Sequence, residues 1–182
     1  MHCDWADRSD VERRYHDTEW GVPVRDDRRI FECLTLHGAR AGLALRIVLA
    51  KRTHYGRLFH AFDIARVAAM SDAEMAAVAR DRGIIRHRLK LASVRGNARA
   101  SLRIIEDTGS LAAYLWSFVG DSPIVNAWRR ADDVPIRSDT SDRMSAALRR
   151  RGFRFAGTAI CYALMQSTGM VNDHLVHCAR YR

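Results

Sequence analysis

At 182 residues, 48% of them hydrophobic and three of them proline, the chain has the size for one domain with a packed core and no long linker. Its formal net charge of +9 rests on 30 lysines and arginines, of which only Lys51 and Lys90 are lysine. That balance favours a polyanionic partner, with nucleic acid ahead of an anionic membrane surface, although a genome rich in G and C would enrich arginine without any such demand.

In chain order, the opening MHCDWADRSD lacks the apolar core of a signal peptide, and no stretch approaches the roughly 20 apolar residues of a membrane span. A soluble, cytoplasmic monomer is expected. DDRRIFECLTLHGA (26–39) starts acidic and aligns Ile30, Phe31 and Leu34 on one helical face. SDAEMAAVARDRG (71–83) opens with Ser71 and Glu74 in capping-box spacing and is expected to end at Gly83. RHRLKLASVRGNARASLRIIEDTG (86–109) reads as a long basic helix, interrupted near Gly96. TSDRMSAALRRRG (140–152) and GTAICYALMQSTG (157–169) are two further helices. No segment alternates as a half-buried strand does, so the predicted class is all-α.

RRRGFRFAGT (149–158) joins the last two helices. Glycines let a phosphate approach backbone amides, and the next helix offers its positive N-terminal end. The residues have the form of a helix-hairpin-helix phosphate clamp, and an ordinary αα-turn with a solvated arginine run reads the same way. Near the end, NDHLVHC (172–178) sets His174 and Cys178 four residues apart, on one face of a helical turn if that segment is helical. That is half of a tetrahedral metal site. Cys3, Cys33, Cys161 and Cys178 lie far apart, which in a reducing cytoplasm suits buried thiols or metal ligands better than disulfides.

Several stretches occur together in one order: CDWA, YHDTEWGVP, GARAGL, GIIRHRLK, GNARA, WSFV, RRGFRFAGTAICYALMQSTGMVNDH and the terminal HxxxC. Together they resemble the bacterial 3-methyladenine DNA glycosylase I family of the helix-hairpin-helix superfamily, from Cys3 to Cys178. The resemblance implies a helix-hairpin-helix glycosylase fold in which a structural zinc ion joins the two termini through Cys3, His16, His174 and Cys178. It implies as partner double-stranded DNA containing alkylated bases, and as activity a monofunctional hydrolase that flips the damaged nucleotide and cleaves its glycosidic bond. No lysine sits where a Schiff-base nucleophile is expected, and TGMVNDH does not unambiguously supply the catalytic aspartate of other superfamily members.

By the same resemblance, Trp5, Tyr15 and Trp20 line the base pocket. Arg151, Gly152, Phe153, Arg154, Gly157 and Thr158 form the phosphate-gripping hairpin, and the turn Gly42-Leu43 is the wedge. GIIRHRLK, with Arg86, His87, Arg88 and Lys90, reads as a second basic surface or as a solvated helix face. The chain departs from the family in its base-reading residues. His37 stands where the family has a glutamate, Leu45 where it has a tryptophan, and Glu12 where it has a tyrosine. A glycosylase with altered preference is therefore expected, with Glu12 returning a carboxylate from another direction. His37, if protonated near neutral pH, would repel a cationic base. A non-catalytic binder of damaged DNA is the alternative on the same fold.

Overall fold

The computed structural model describes residues 1–181. A 3-10 turn at Asp4–Arg8 leads into α1 (Asp10–Thr18), α2 (Asp27–Arg40), α3 (Leu45–Leu58), α4 (Ile64–Ala69), α5 (Asp72–Arg80), α6 (Arg88–Thr108) and α7 (Leu111–Trp116). After a strap that carries β1 (Ile124–Val125) come α8 (Asp139–Arg150), α9 (Thr158–Ser167) and β2 (Val171–Asn172). The predicted helices form, and Ser71 and Glu74 close the capping box on α5, which ends at Arg80 rather than at Gly83. Gly96 does not interrupt α6; its position is exposed, and a Cβ there would meet nothing.

Two expectations are corrected. The chain does contain a strand pair: β1 and β2 are parallel, with Ile124 opposite Val171 and Val125 opposite Asn172. Two residues a side are too few for alternation to register in a sequence. The second correction concerns His174–Cys178, which is a succession of turns and not a helix. Its amides go elsewhere: the Leu175 N–H donates to Cys3 Sγ at 3.4 Å, the Arg180 N–H to Cys178 Sγ at 3.4 Å, and the Cys178 N–H to Leu175 O at 2.7 Å. The Cys178 N–H thus closes a tighter i−3 turn in place of the i−4 bond of an α-helix, and sulfur acceptors satisfy the amides on either side.

Helix α2 packs on α3, α6 and α9 and is buried along most of its length, with Ile30, Phe31, Leu34, Leu36 and Ala39 in the main core. Its first residue also serves α7, because the Asp27 carboxylate accepts from the Ser110 hydroxyl and the Ala112 N–H, each at 2.7 Å. A second, smaller apolar cluster holds Cys3, Tyr15, Trp20, Leu175 and Cys178, with Trp5, Leu45, Leu49, Trp128 and Val134 packed against it. Between the clusters, Arg52 and Arg29 bridge Glu19 and Glu32, with Arg52 Nε to Glu32 at 2.6 Å and Arg29 Nη2 to Glu19 at 2.8 Å. The smaller cluster joins both ends of the chain, and it is on this cluster that the candidate site is built.

Gly169 makes a close backbone approach to Val22 and Pro23. Its φ is +69°, and a Cβ would lie 2.5 Å from Pro23 N and 2.6 Å from the Val22 carbonyl carbon. The Val24 N–H donates to Thr168 O at 3.0 Å across the same contact. Gly169→Ala is expected to cost about 2–4 kcal/mol, since left-handed strain and a backbone clash add. Urea unfolding measures it, and a loss under about 0.5 kcal/mol, the size of an ordinary surface change, would show the approach to be compliant.

Candidate functional site

Cys3, His16, His174 and Cys178 are all buried, and their ligand atoms lie within 4.8 Å of one another. Zinc–sulfur and zinc–nitrogen bonds of about 2.3 and 2.0–2.1 Å, at a tetrahedral angle, set an N···S edge of about 3.6 Å. The observed edges are 3.7 Å from Cys3 Sγ to His174 Nδ1, 3.6 Å from Cys178 Sγ to His174 Nδ1, and 3.5 Å from Cys178 Sγ to His16 Nε2. The remaining imidazole nitrogens are engaged outside the centre, His16 Nδ1 with Asp17 Oδ1 at 2.8 Å and His174 Nε2 with Trp20 O at 3.2 Å. Such outer partners set which nitrogen faces inward. Burial lowers both histidines, His174 to about 4, so they are neutral ligands at pH 7. Burial, reinforced by Cys178, pushes the Cys3 thiol up to about 12. Two thiols and two neutral imidazoles are a donor set that suits a soft cation, which would hold the thiols as thiolates.

Beside this centre opens a cleft of about 810 Å³. Trp5, Trp20, Glu12 and Leu45 line it, with Arg40, Gly42, Leu43 and Ile160. The Trp5 and Trp20 rings meet edge to face at 5.1 Å, and Trp20 packs at 4.6 Å on the His174 ring, so the Cys/His cluster positions the aromatic wall. The Glu12 carboxylate is buried and accepts from Ser9 Oγ at 2.8 Å.

Tyr15 and His37 are not in that cleft. They line an inner cavity of about 20 Å³ with Glu19, Cys33, Leu36, Val48, Leu49 and Arg52, room for about one water molecule. Leu45 borders both spaces and partitions them. His37 is 5% exposed, and its Nδ1 is buried without a hydrogen-bond partner. Burial lowers it to about 3, so the imidazole is neutral across the working range of pH. This corrects the expectation of a protonated His37 repelling a cationic base: the desolvation that places the ring inside also removes its charge.

The hairpin between α8 and α9 needs Gly152 at φ +90° and holds Phe155 at +52°. Asn97 on α6 pins it, accepting from the Arg154 N–H at 2.9 Å and donating to Arg154 O at 3.0 Å. Arg154 is exposed, whereas Phe153 is 3% exposed and anchors the hairpin in the core. Phe153 therefore offers DNA no side chain. The hydroxyl of Thr158 is also committed, to Asp142 and Ser141. Arg151 donates to Asp107 at 2.7 Å and lies over the Tyr114 ring, so it is less free than Arg149 and Arg150, which are exposed. Of GIIRHRLK, His87 caps α6 and Lys90 turns inward onto backbone carbonyls, leaving Arg86 and Arg88 exposed.

Side chains cap the N-termini of α1, α2 and α4 through α8: Ser9, Asp26, Asp63, Ser71, His87, Ser110 and Ser138. Helices α3 and α9 begin at Ala44 and Gly157 with no side-chain cap. Both starts border the cleft, through Ala44 and Leu45 on one side and Ala159 and Ile160 on the other. Two uncapped helix ends present free N–H groups and positive partial charge to whatever enters there. Sequence reasoning foresaw the start of α9 and missed that of α3.

It also missed Asp173. This carboxylate is 2% exposed, lines the cleft, and accepts from Asn126 Nδ2, Trp128 Nε1 and Tyr162 Oη at 2.7 Å and from Gln166 Nε2 at 2.8 Å. Its four lone-pair sites are taken, so it has no acceptor left to deprotonate a water molecule. The donors come from two segments distant in sequence, and only their convergence reveals the role.

Comparison with known proteins agrees with this layout. The family model described as methyladenine glycosylase matches residues 5–181. The DNA-3-methyladenine glycosylase 1 of Escherichia coli (strain K12) is 42% identical over 179 residues, covering 98% of this chain and 96% of that protein. A crystal structure of 3-methyladenine DNA glycosylase I superposes with a TM-score of 0.97 at 41% identity, over 100% of both chains. A tyrosine-to-phenylalanine variant of a 3-methyladenine DNA glycosylase I, solved with 3-methyladenine, superposes with a TM-score of 0.96 at 28% identity, over 100% of this chain and 97% of that one. With the model spanning all but its first residues and both lysines bonded to backbone carbonyls instead of free for Schiff-base chemistry, the chain belongs to the methyladenine glycosylase family and is a monofunctional glycosylase of the hydrolase class.

Proposed function

We propose that this enzyme binds duplex DNA, turns an alkylated purine nucleotide out of the helix into the cleft beside the metal centre, and hydrolyses its N-glycosidic bond. The observation that carries this reading is the cleft itself, where an aromatic wall and a buried carboxylate stand between two uncapped helix N-termini. The bound 3-methyladenine in a neighbouring structure supports a methylated purine as one occupant.

The chemistry asks little of acid or base catalysis. Alkylation at a ring nitrogen gives the base a positive charge, so it departs as a neutral molecule while positive charge develops on the sugar, and water captures that sugar. Trp5 and Trp20 offer electron-rich rings to the cationic base, and Glu12 offers a negative charge on the same wall. Discrimination then comes from holding the cationic base in a site that gains little from a neutral one. Phosphates on either side of the flipped nucleotide meet the N-termini of α3 and α9, with Arg154 and Arg150 beside the second. Leu43 on the rim fills the gap left in the stack.

Cys3, His16, His174 and Cys178 would hold zinc. A closed set of two thiolates and two imidazoles leaves no position for a catalytic water, so the ion would act by fastening the aromatic wall to the C-terminal turns. Purified enzyme is expected to carry about one zinc per chain, and Cys178→Ser to lose both the metal and several kcal/mol of stability. Metal analysis by mass spectrometry checks this, and stoichiometric zinc in both Cys3→Ser and Cys178→Ser would remove these residues as ligands.

DNA affinity is expected to fall steeply with salt, and Arg150→Ala with Arg154→Ala together to flatten the log–log slope by roughly two. The loss should be equal for all sequences, and Arg151→Ala should matter less. Equal effects of all three substitutions, or no salt dependence, would contradict this arrangement of the hairpin.

The inner cavity meets the cleft at Leu45, where it bears on base preference. His37→Glu with Leu45→Trp restores the residue types of the family and is expected to raise 3-methyladenine release by about tenfold, since the indole adds a stacking ring to the cleft wall and the carboxyl group a hydrogen-bonding partner behind it. Glu12→Gln should harm the parent enzyme more than this double variant. His37 has a depressed folded value, so its stabilising contribution is complete above about pH 6.5 and is lost as pH falls toward about 3. Between pH 5 and 8 the chemical step should show no inflection that disappears in His37→Gln. Such an inflection, in rates measured on defined N-alkylpurine duplexes, would mean that His37 is charged at work.

A further inference from the structure

Lysine is rare here, two residues among 30 lysines and arginines, and both ammonium groups donate to backbone carbonyls. Lys51 reaches Gly83 O at 3.2 Å, and Lys90 reaches both Ala39 O at 2.9 Å and Ala41 O at 2.6 Å. A compact ammonium with three donors can bridge two carbonyls that converge on it, which the planar guanidinium fork does poorly. In a chain that otherwise uses arginine for charge, lysine is kept where a point donor is required.

Of the carbonyls that Lys90 holds, that of Ala39 lies in the last turn of α2 and that of Ala41 in the β-turn that follows. Ala41 has φ −43° and ψ 115°, Gly42 has φ +79°, and the Leu43 N–H donates to Arg40 O at 2.6 Å. This is a type II turn with glycine at its third position. A Cβ on Gly42 would meet nothing within 4 Å, so glycine is present for its backbone angle and not for space. A type I turn with the same ends differs chiefly by a half-rotation of the central peptide, which carries the carbonyl of Ala41 and the N–H of Gly42. Lys90 grips that carbonyl. Across a trans peptide the Gly42 N–H then points the opposite way, and among the described residues it has no partner. Leu43 follows at once, 36% exposed on the rim of the cleft.

We propose that Lys90 is a positioning residue that locks this turn in its type II form, so that Leu43 and the free Gly42 N–H stand ready to enter the gap in a duplex from which a nucleotide has been turned out. The inference rests on the reading of Gly42-Leu43 as the wedge. It predicts an effect confined to duplex DNA, because a single strand has no opposite stack for the wedge to hold apart.

The test is release of 3-methyladenine from dimethyl-sulfate-treated oligonucleotides, duplex and single-stranded, by full-length enzyme. The quantity read is the duplex-to-single-strand ratio of rates. Leu43→Ala, the control for the wedge, is expected to lower that ratio, and Lys90→Met to lower it by about tenfold, the scale of a small misplacement of a contact group. The double variant should be no worse than Leu43→Ala alone, because the two act through one device. Lys90→Arg keeps the charge and most of the packing, and should fold and lose part of the ratio even if Lys90→Met proves unstable. If Leu43→Ala leaves the ratio unchanged, the wedge reading fails and the inference with it. A ratio lowered by Leu43→Ala but unchanged in both Lys90 variants overturns the Lys90 role alone, as does an equal loss on both kinds of DNA.

Discussion

The buried carboxylate of Asp173 is the point on which the site converges. Asn126 and Trp128 reach it from the strap, and Tyr162 and Gln166 from α9. Hydrogen bonds to a charged group are worth roughly 1.5–3 kcal/mol each, and leaving their donors unpaired in a dry interior costs comparably. The carboxylate thus fixes, relative to one another, the strap that carries Trp128, the helix whose N-terminus borders the cleft, and the segment that delivers His174. The α9 hydroxyl shares in this, since burial and Asp173 raise the Tyr162 phenol well above its ordinary range.

From that anchor the smaller apolar cluster acquires its shape. Its five buried members, Cys3, Tyr15, Trp20, Leu175 and Cys178, come from the two ends of the chain, and so few side chains would hold two termini together weakly by burial alone. The Glu19–Arg52–Glu32–Arg29 network secures the cluster to α2 and α3 from below. The side chains of Cys3, His16, His174 and Cys178 meet within it. Trp20 packs on His174 and Trp5 on Trp20, so any loosening of these four side chains is felt at the aromatic wall.

The substituted base-reading residues fall into two compartments with different physics. Glu12 keeps a carboxylate on the open side, while His37 sits behind Leu45 in a cavity that only about one water could occupy. A buried imidazole with an unpaired Nδ1 is costly to stability. Such a cost is often retained where a polar group meets a ligand. Helix ends follow the same logic. Where α3 and α9 meet the cleft their N–H groups are left uncapped, while the other α-helices are finished with side-chain caps.

Much of the architecture was legible in the chain itself. Periodicity and capping residues located α2, α5, α6, α8 and α9, because a helix buries a face that recurs every turn and starts on a side chain that can accept its free amides. The glycines at 152 and 157 marked the hairpin, and the spacing of His174 and Cys178 marked half of the buried Cys/His cluster. What the tertiary structure alone decided lies in contacts between distant segments. Helical spacing suggested a last turn of helix, but the Leu175 N–H went to the Cys3 sulfur and the Cys178 N–H to the Leu175 carbonyl. The protonation of His37 depended on burial, which a residue type does not reveal. The sequence left open whether TGMVNDH supplies a catalytic aspartate and whether Lys90 belongs to a basic surface or a solvated face, until four donors closed around Asp173 and two carbonyls around Lys90. Local pattern specifies elements because their hydrogen bonds are local; the charge state and duty of a side chain follow from its solvent and partners, which only the folded chain assembles.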